Sequence, residues 1–181
     1  MFNFKTTSLG WIWITVAVFV VDIATKQIAE AMLNYGDPVF LLPVLDFTLL
    51  YNRGAAFSML ADQPGWQRWF FTLISAAVSV VLFVWMSRLP KRPAWLGIAL
   101  ALILGGALGN LFDRVAFGHV IDFISVHWDN AYFPAFNIAD SAITIGAIMM
   151  AVDVVRDSFA AGKSDDSSGS KSGSKSGNGA S

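Results

Sequence analysis

The chain has no cysteine in 181 residues. That absence excludes a thiol nucleophile, a disulfide frame and a cysteine-rich zinc site. It leaves the compartment open, because a chain without thiols is indifferent to redox state. Charge is scarce too: Asp, Glu, Lys and Arg make up 14% of the residues, and the net charge is −1. Nothing is available to build a basic face of useful size, so no nucleic-acid partner is expected. Histidine occurs only as His119 and His127, and no serine falls in a nucleophile-elbow pattern. A hydrolase built on serine with a histidine or Lys26 is therefore the weaker enzymatic reading.

What the chain has in quantity is apolar surface. With 55% hydrophobic residues and a mean hydropathy of +0.58, it suits one small helical membrane domain. Four apolar stretches approach the ~20 residues a span needs, at about 11–33, 69–87, 94–112 and 138–155. The first is too long, too charged internally and too lacking in a cleavage site to be a signal peptide. Trp11, Trp13, Trp66, Trp69, Trp85 and Trp95 cluster near the ends, as interfacial aromatics do. Lys5, Arg88, Lys91, Arg92, Arg156 and Lys163 predict that both termini and the second connection are cytoplasmic. The first and third connections then lie outside, and they hold most of the unusual residues.

In the first of these, Val39 to Tyr51 is β-prone but interrupted by Pro43 and Asp46, and predicts two short strands at the membrane surface. Ala55 to Gln67 is a candidate lid. Residues 1–161 form the membrane domain, and the Ser/Gly/Lys run at 162–181 predicts a disordered tail.

Polar residues beside the spans narrow the function. A charge at bilayer depth costs roughly 2.5–3.5 kcal/mol on insertion scales, so acids kept there usually face protein or a wet cavity. Asp122 and Asp140 are two such acids on separate segments, able to face each other across a cleft. Two carboxylates that meet can share a proton and activate water. Asp140 follows Asn137 by three residues, the spacing of a helix N-cap with an acid in the first turn. Asp22, Lys26 and Glu30 follow one helix face at i, i+4, i+8, either as mutual neutralisation or to position substrate. Asn52-Arg-Gly54 is an ordinary turn that also offers a donor and an acceptor to an extended peptide. Gly105 and Gly109 make a small-residue face, and Asn110 needs a partner at depth; Asp113-Arg114 can be helix-end charge compensation, but Asn110 and Arg114 are better placed to brace the two acids or hold substrate carbonyls. A small transporter would also carry intramembrane charges, but no internal repeat is visible. A purely structural scaffold does not account for polar residues gathered at one membrane face.

The Asp22 and Lys26 pair, Asn52-x-Gly-Ala-Ala-Phe57, Gly105-Gly-x-x-Gly-Asn-x-x-Asp-Arg114, Val120-x-Asp-Phe-Ile124 and Phe136-Asn-x-Ala-Asp140 occur in that order. Together they resemble the successive signatures of bacterial lipoprotein signal peptidase, the signal peptidase II family, from about Trp11 to Arg156. The resemblance implies an all-α membrane protein: four transmembrane helices with a small extracytoplasmic β-cradle, in the bacterial inner membrane. It implies an aspartyl endopeptidase that cuts diacylglyceryl-modified prolipoproteins just before the lipidated cysteine. The active site would lie near the outer leaflet, and globomycin would block it. Asp122 and Asp140 match the dyad. Asp22, Lys26, Asn52, Gly54, Asn110, Arg114, Asn137 and Ala139 match the other motif positions. No metal or other cofactor is implied, and the partners would be lipid-modified prolipoproteins and membrane phospholipids around a monomer.

Overall fold

The computed structural model describes residues 3–54, 66–129 and 131–172. Four helices carry the apolar runs: α1 (Ile12–Met32), α2 (Trp66–Arg88), α3 (Ala94–Ala116) and α4 (Ile138–Ser172). Each includes a segment long and apolar enough to cross a bilayer. The five prolines among the described residues fall between helices, where a missing N–H and a fixed φ break no helical ladder. The apolar part of α4 ends at Arg156, but its helix runs on to Ser172, into the stretch whose composition predicts disorder. Extending a helix that is already nucleated fixes one residue per hydrogen bond, which even weak formers can sustain. Residues 173–181 and most of the candidate lid, 55–65, lie outside those described.

Helix α3 is the centre of the bundle. In its apolar window 56% of residues are buried, against 17–22% in the other three, so those helices surround it and turn most of their surface outward. Small residues permit this. At Gly106 an added Cβ would strike the Ala139 carbonyl of α4, and at Gly109 it would strike the Asp22 carboxylate of α1. Gly105 meets Val18 and the Thr15 carbonyl instead, so this glycine stretch serves two neighbours rather than one. A cluster of Leu9, Leu82, Met86, Leu100, Ala101 and Leu104 closes one end of the bundle.

The opposite end carries an antiparallel sheet, ordered β1 (Val39–Leu42), β2 (Leu45–Asn52), β3 (Val120–Trp128), β4 (Ala131–Tyr132). β1 and β2 are the two strands expected between the first helices. Two bounds differ from the sequence reading: α3 runs on from 112 to Ala116, and β3 occupies residues that read as loop, because its partner strand lies far away in the chain. The β-branched Val120, Ile121, Ile124 and Val126 suit a strand once a partner exists. That partner is β2, which sets Leu50 opposite Asp122 and Asn52 opposite Val120. β1 is an exposed apolar edge, with Phe40 72% and Leu42 55% accessible, as for a strand bathed in lipid.

Candidate active site

Helix α4 begins against the sheet, and its first turn is built by Asn137. The Asn137 side-chain oxygen accepts the Asp140 N–H at 2.9 Å, an N-cap that fixes where the helix starts. Its side-chain nitrogen points the other way and donates to Asp122 Oδ1 at 2.8 Å, with a longer contact to the Ile121 carbonyl at 3.2 Å. One amide thereby holds both acids in register, Asp122 from β3 and Asp140 from α4. Backbone pairing of Ile124 with Phe136 ties the strand to the segment that enters the helix.

Each acid has a further amide donor. Asn110 of α3 donates to Asp140 Oδ1 at 2.7 Å. Asn52, at the end of β2, hydrogen-bonds Asp122, while its oxygen accepts the Gly54 N–H at 2.8 Å. That turn places Gly54 at φ +96°, where a side chain is strained and would also meet the Phe71 ring. Asp122 is 2% exposed. Burial and then the Asp140 charge push its carboxyl up to about 7, against the pull of Asn52, Lys26 and Asn137. Asp140 is half-buried in the first turn of α4.

Beneath the two acids lies a buried ionic cluster. Lys26 Nζ reaches Asp22 Oδ2 at 2.7 Å, Asp113 Oδ2 at 2.8 Å and Asn110 Oδ1 at 3.2 Å, all with side chains essentially inaccessible. Asp22 uses its other oxygen to accept the Ala139 N–H at 2.9 Å, and Asp113 accepts the Ile121 N–H at 3.2 Å. Each carboxylate therefore holds the residue immediately preceding one of the two central acids. Ala139 is itself fully buried, its Cβ lying 3.5 Å from where one on Gly109 would stand. Of the two roles open to the α1 charges, the geometry shows mutual neutralisation of Asp22 and Lys26, with Asp22 also bonded to the Ala139 backbone. Glu30 lies apart and bonds Tyr51.

Asp113 corrects the expectation of a charge compensated at a helix end. It lies inside α3, 1% exposed, one turn after Asn110 on the face that meets Lys26. The signal was present in the i, i+3 spacing, but only the paired helix shows that Lys26 faces two acids. Arg114 turns to the Asn110 carbonyl at 3.3 Å and the Phe71 ring at 5.6 Å, and acts on Asp122 and Asp140 as a nearby positive charge. Lys26, being spent on two carboxylates, is not a free base for a serine. Ser141 Oγ donates to the Asn137 carbonyl at 2.9 Å. At the other end of β2, a fully buried Asp46 lies 3.3 Å from His127 Nε2, a pair that the sequence did not reveal. Among the described residues no group of three or more His, Asp or Glu is placed to hold a metal ion.

Residues 14–156 match the family model described as signal peptidase (SPase) II. The chain is 59% identical over 150 residues to a lipoprotein signal peptidase of Pseudomonas paraeruginosa strain DSM 24068 / PA7, covering 82% of this chain and 89% of that protein. It is 57% identical over 157 residues to a lipoprotein signal peptidase of Pseudomonas syringae pv. tomato strain DC3000, covering 84% and 91%. A solved structure described as a bacterial membrane enzyme is similar in fold, with a TM-score of 0.72 at 33% identity, over 82% of this chain and 89% of that one. A second, described in the same words, gives a TM-score of 0.71 at 33% identity, over 82% and 94%.

Proposed function

The chain belongs to the signal peptidase II family, and from that premise we propose that it is an intramembrane aspartyl endopeptidase. It removes the signal peptide from diacylglyceryl-modified prolipoproteins, cutting just before the lipidated cysteine. The observation that carries the reading is the pairing of Asp122 and Asp140, drawn from a strand and a helix and joined by the single amide of Asn137.

Water between the two acids is the nucleophile. Asp140 takes a proton from it, while protonated Asp122 donates a hydrogen bond to the scissile carbonyl. The hydrated intermediate collapses as the leaving amine gains a proton, and the C–N bond breaks without an acyl-enzyme. Asn52, Asn110 and Asn137 hold the acids, Asp22 and Lys26 hold the backbone beneath them, and Gly54 and Ala139 permit the close approach. Arg114 supplies positive charge beside the dyad.

Both termini lie on the cytoplasmic side of a bacterial inner membrane and the dyad near the outer leaflet, an orientation that the cationic loops support. The enzyme works as a monomer among phospholipids, without a cofactor, and globomycin blocks it. The test is to incubate the purified protein in detergent with a diacylglyceryl-modified prolipoprotein, beside Asp122→Asn and Asp140→Asn. Cleavage before the lipidated cysteine by the parent alone is the expected result; cleavage that survives either substitution overturns the dyad.

A further inference from the structure

A groove of about 460 Å³ runs beside Asp140, walled on one side by Phe133, Pro134, Ala135 and Phe136 and on the other by Ser141, Thr144 and Ile145 of α4. Its size is that of a ligand site. Asp140 forms part of its lining, so whatever fills it lies next to the reacting bond.

The chemistry of the walls is apolar despite the hydroxyls in them. Ser141 Oγ donates to the Asn137 carbonyl and Thr144 Oγ1 to the Asp140 carbonyl at 2.8 Å, so both hydroxyls are already engaged. On the facing wall Phe133 N–H and both backbone groups of Phe136 are bonded to β3, and Pro134 has no N–H to offer. An extended peptide laid here would find few groups to pair its backbone with, whereas a hydrocarbon chain needs none.

The groove is also continuous in sequence with an exposed apolar stripe of α4. Ile145 continues at helical spacing into Ile148, Val152 and Val155, which are 52%, 58%, 36% and 52% exposed. This stripe follows the spanning part of α4, so the groove is the upper end of a lipid-facing surface. A chain seated in it passes from the bilayer to the side of Asp140 without crossing water.

We infer that the groove between Phe133–Phe136 and the Asp140–Ile145 turn is the site for an acyl chain of the substrate's diacylglyceryl group. This rests on the substrate proposed above. The lipid is attached at the residue directly after the scissile bond, so an acyl site beside Asp140 would set the bond against the dyad by anchoring its neighbour. Chain length then becomes a determinant of KM.

The experiment compares two synthetic lipobox peptides in detergent, identical but for palmitoyl or octanoyl chains on the glyceryl thioether. The enzymes are the parent, Ile145→Trp, Thr144→Phe and, as a control on an exposed face of α2, Val80→Trp. Expected is a parental preference for palmitoyl, and a rise in KM for it of roughly tenfold in Ile145→Trp and Thr144→Phe, equivalent to losing about 1.4 kcal/mol of binding. The octanoyl peptide and Val80→Trp should change little. Equal losses for both peptides would place the signal segment in the groove instead and overturn the proposal, as would unchanged KM in both groove variants. A parent that cleaves neither peptide would count against the proposed function itself, a result that the variant comparison cannot mimic.

Discussion

The side-chain nitrogen of Asn137 donates to Asp122 across 2.8 Å while its oxygen caps α4 at Asp140. Orientation of one acid is thus bound to the start of the helix that carries the other. Asn137→Ala should lower kcat by about a hundredfold or more with a smaller effect on KM, since loss of geometry at the reacting groups costs rate first. It should also cost about 1 kcal/mol of stability through the lost cap. Asn137→Ser restores a cap and leaves the bond to Asp122 unmade, so it should recover stability and little rate. Recovery of both by serine would show that Asn137 does no more than cap.

Lys26 is the only cation within reach of two buried carboxylates among the described ion pairs. A buried pair is weak evidence of net stabilisation, but stripping out one partner leaves the other uncompensated, typically at 3–5 kcal/mol. Lys26→Met leaves both Asp22 and Asp113 stranded and should cost about that amount or more. Unfolding in detergent, followed by tryptophan fluorescence, reads it directly. A Lys26→Met protein as stable as the parent would mean that the cluster is hydrated or protonated.

The four spans, the outer strand pair and the motif residues could be read from the sequence because each has a local signature: apolar length, β-prone composition, cap spacing. Asp122 was singled out on its motif, yet its strand was missed. β3 is stabilised by β2, some seventy residues earlier, and single-chain patterning carries no trace of that pairing. Asp113 and the Asp46–His127 pair escaped for the same reason. Their burial is decided by what faces them, Lys26 on another helix and a neighbouring strand, and not by the residues beside them.

Gly109 lies where α3 meets Asp22, and a Cβ there would collide with the carboxylate that holds Ala139 N–H. Gly109→Ala is favoured by helix propensity, by about 1 kcal/mol. Against that stands overpacking, usually 1–3 kcal/mol, at a carboxylate fixed by Lys26 and unable to swing clear. The expected result is a net loss of stability with a steep loss of cleavage, because the displaced Asp22 no longer seats the α4 turn. A variant of raised stability and full activity would show that α1 can shift freely.

The Asp122 carboxyl, raised from its ordinary 3.8 to about 7, gives two linked expectations of pH. In the proposed mechanism protonated Asp122 is the donor to the scissile carbonyl, so cleavage should fall as pH rises through about 7. The Asn52 bond favours the ionised form; removing it in Asn52→Ala should move this alkaline limb to higher pH, whatever the plateau rate. Stability follows the same proton. Between 3.8 and 7 the folded chain keeps a proton that the unfolded chain loses, so the contribution of Asp122 is fully present below 3.8 and is lost as pH rises through 7. Asp122→Asn, neutral throughout, should therefore gain stability over the parent with rising pH, the difference levelling off above 7. Thermal unfolding across that range, with cleavage measured on the same samples, checks both. An alkaline limb that ignored Asn52→Ala would place the working proton elsewhere than on Asp122.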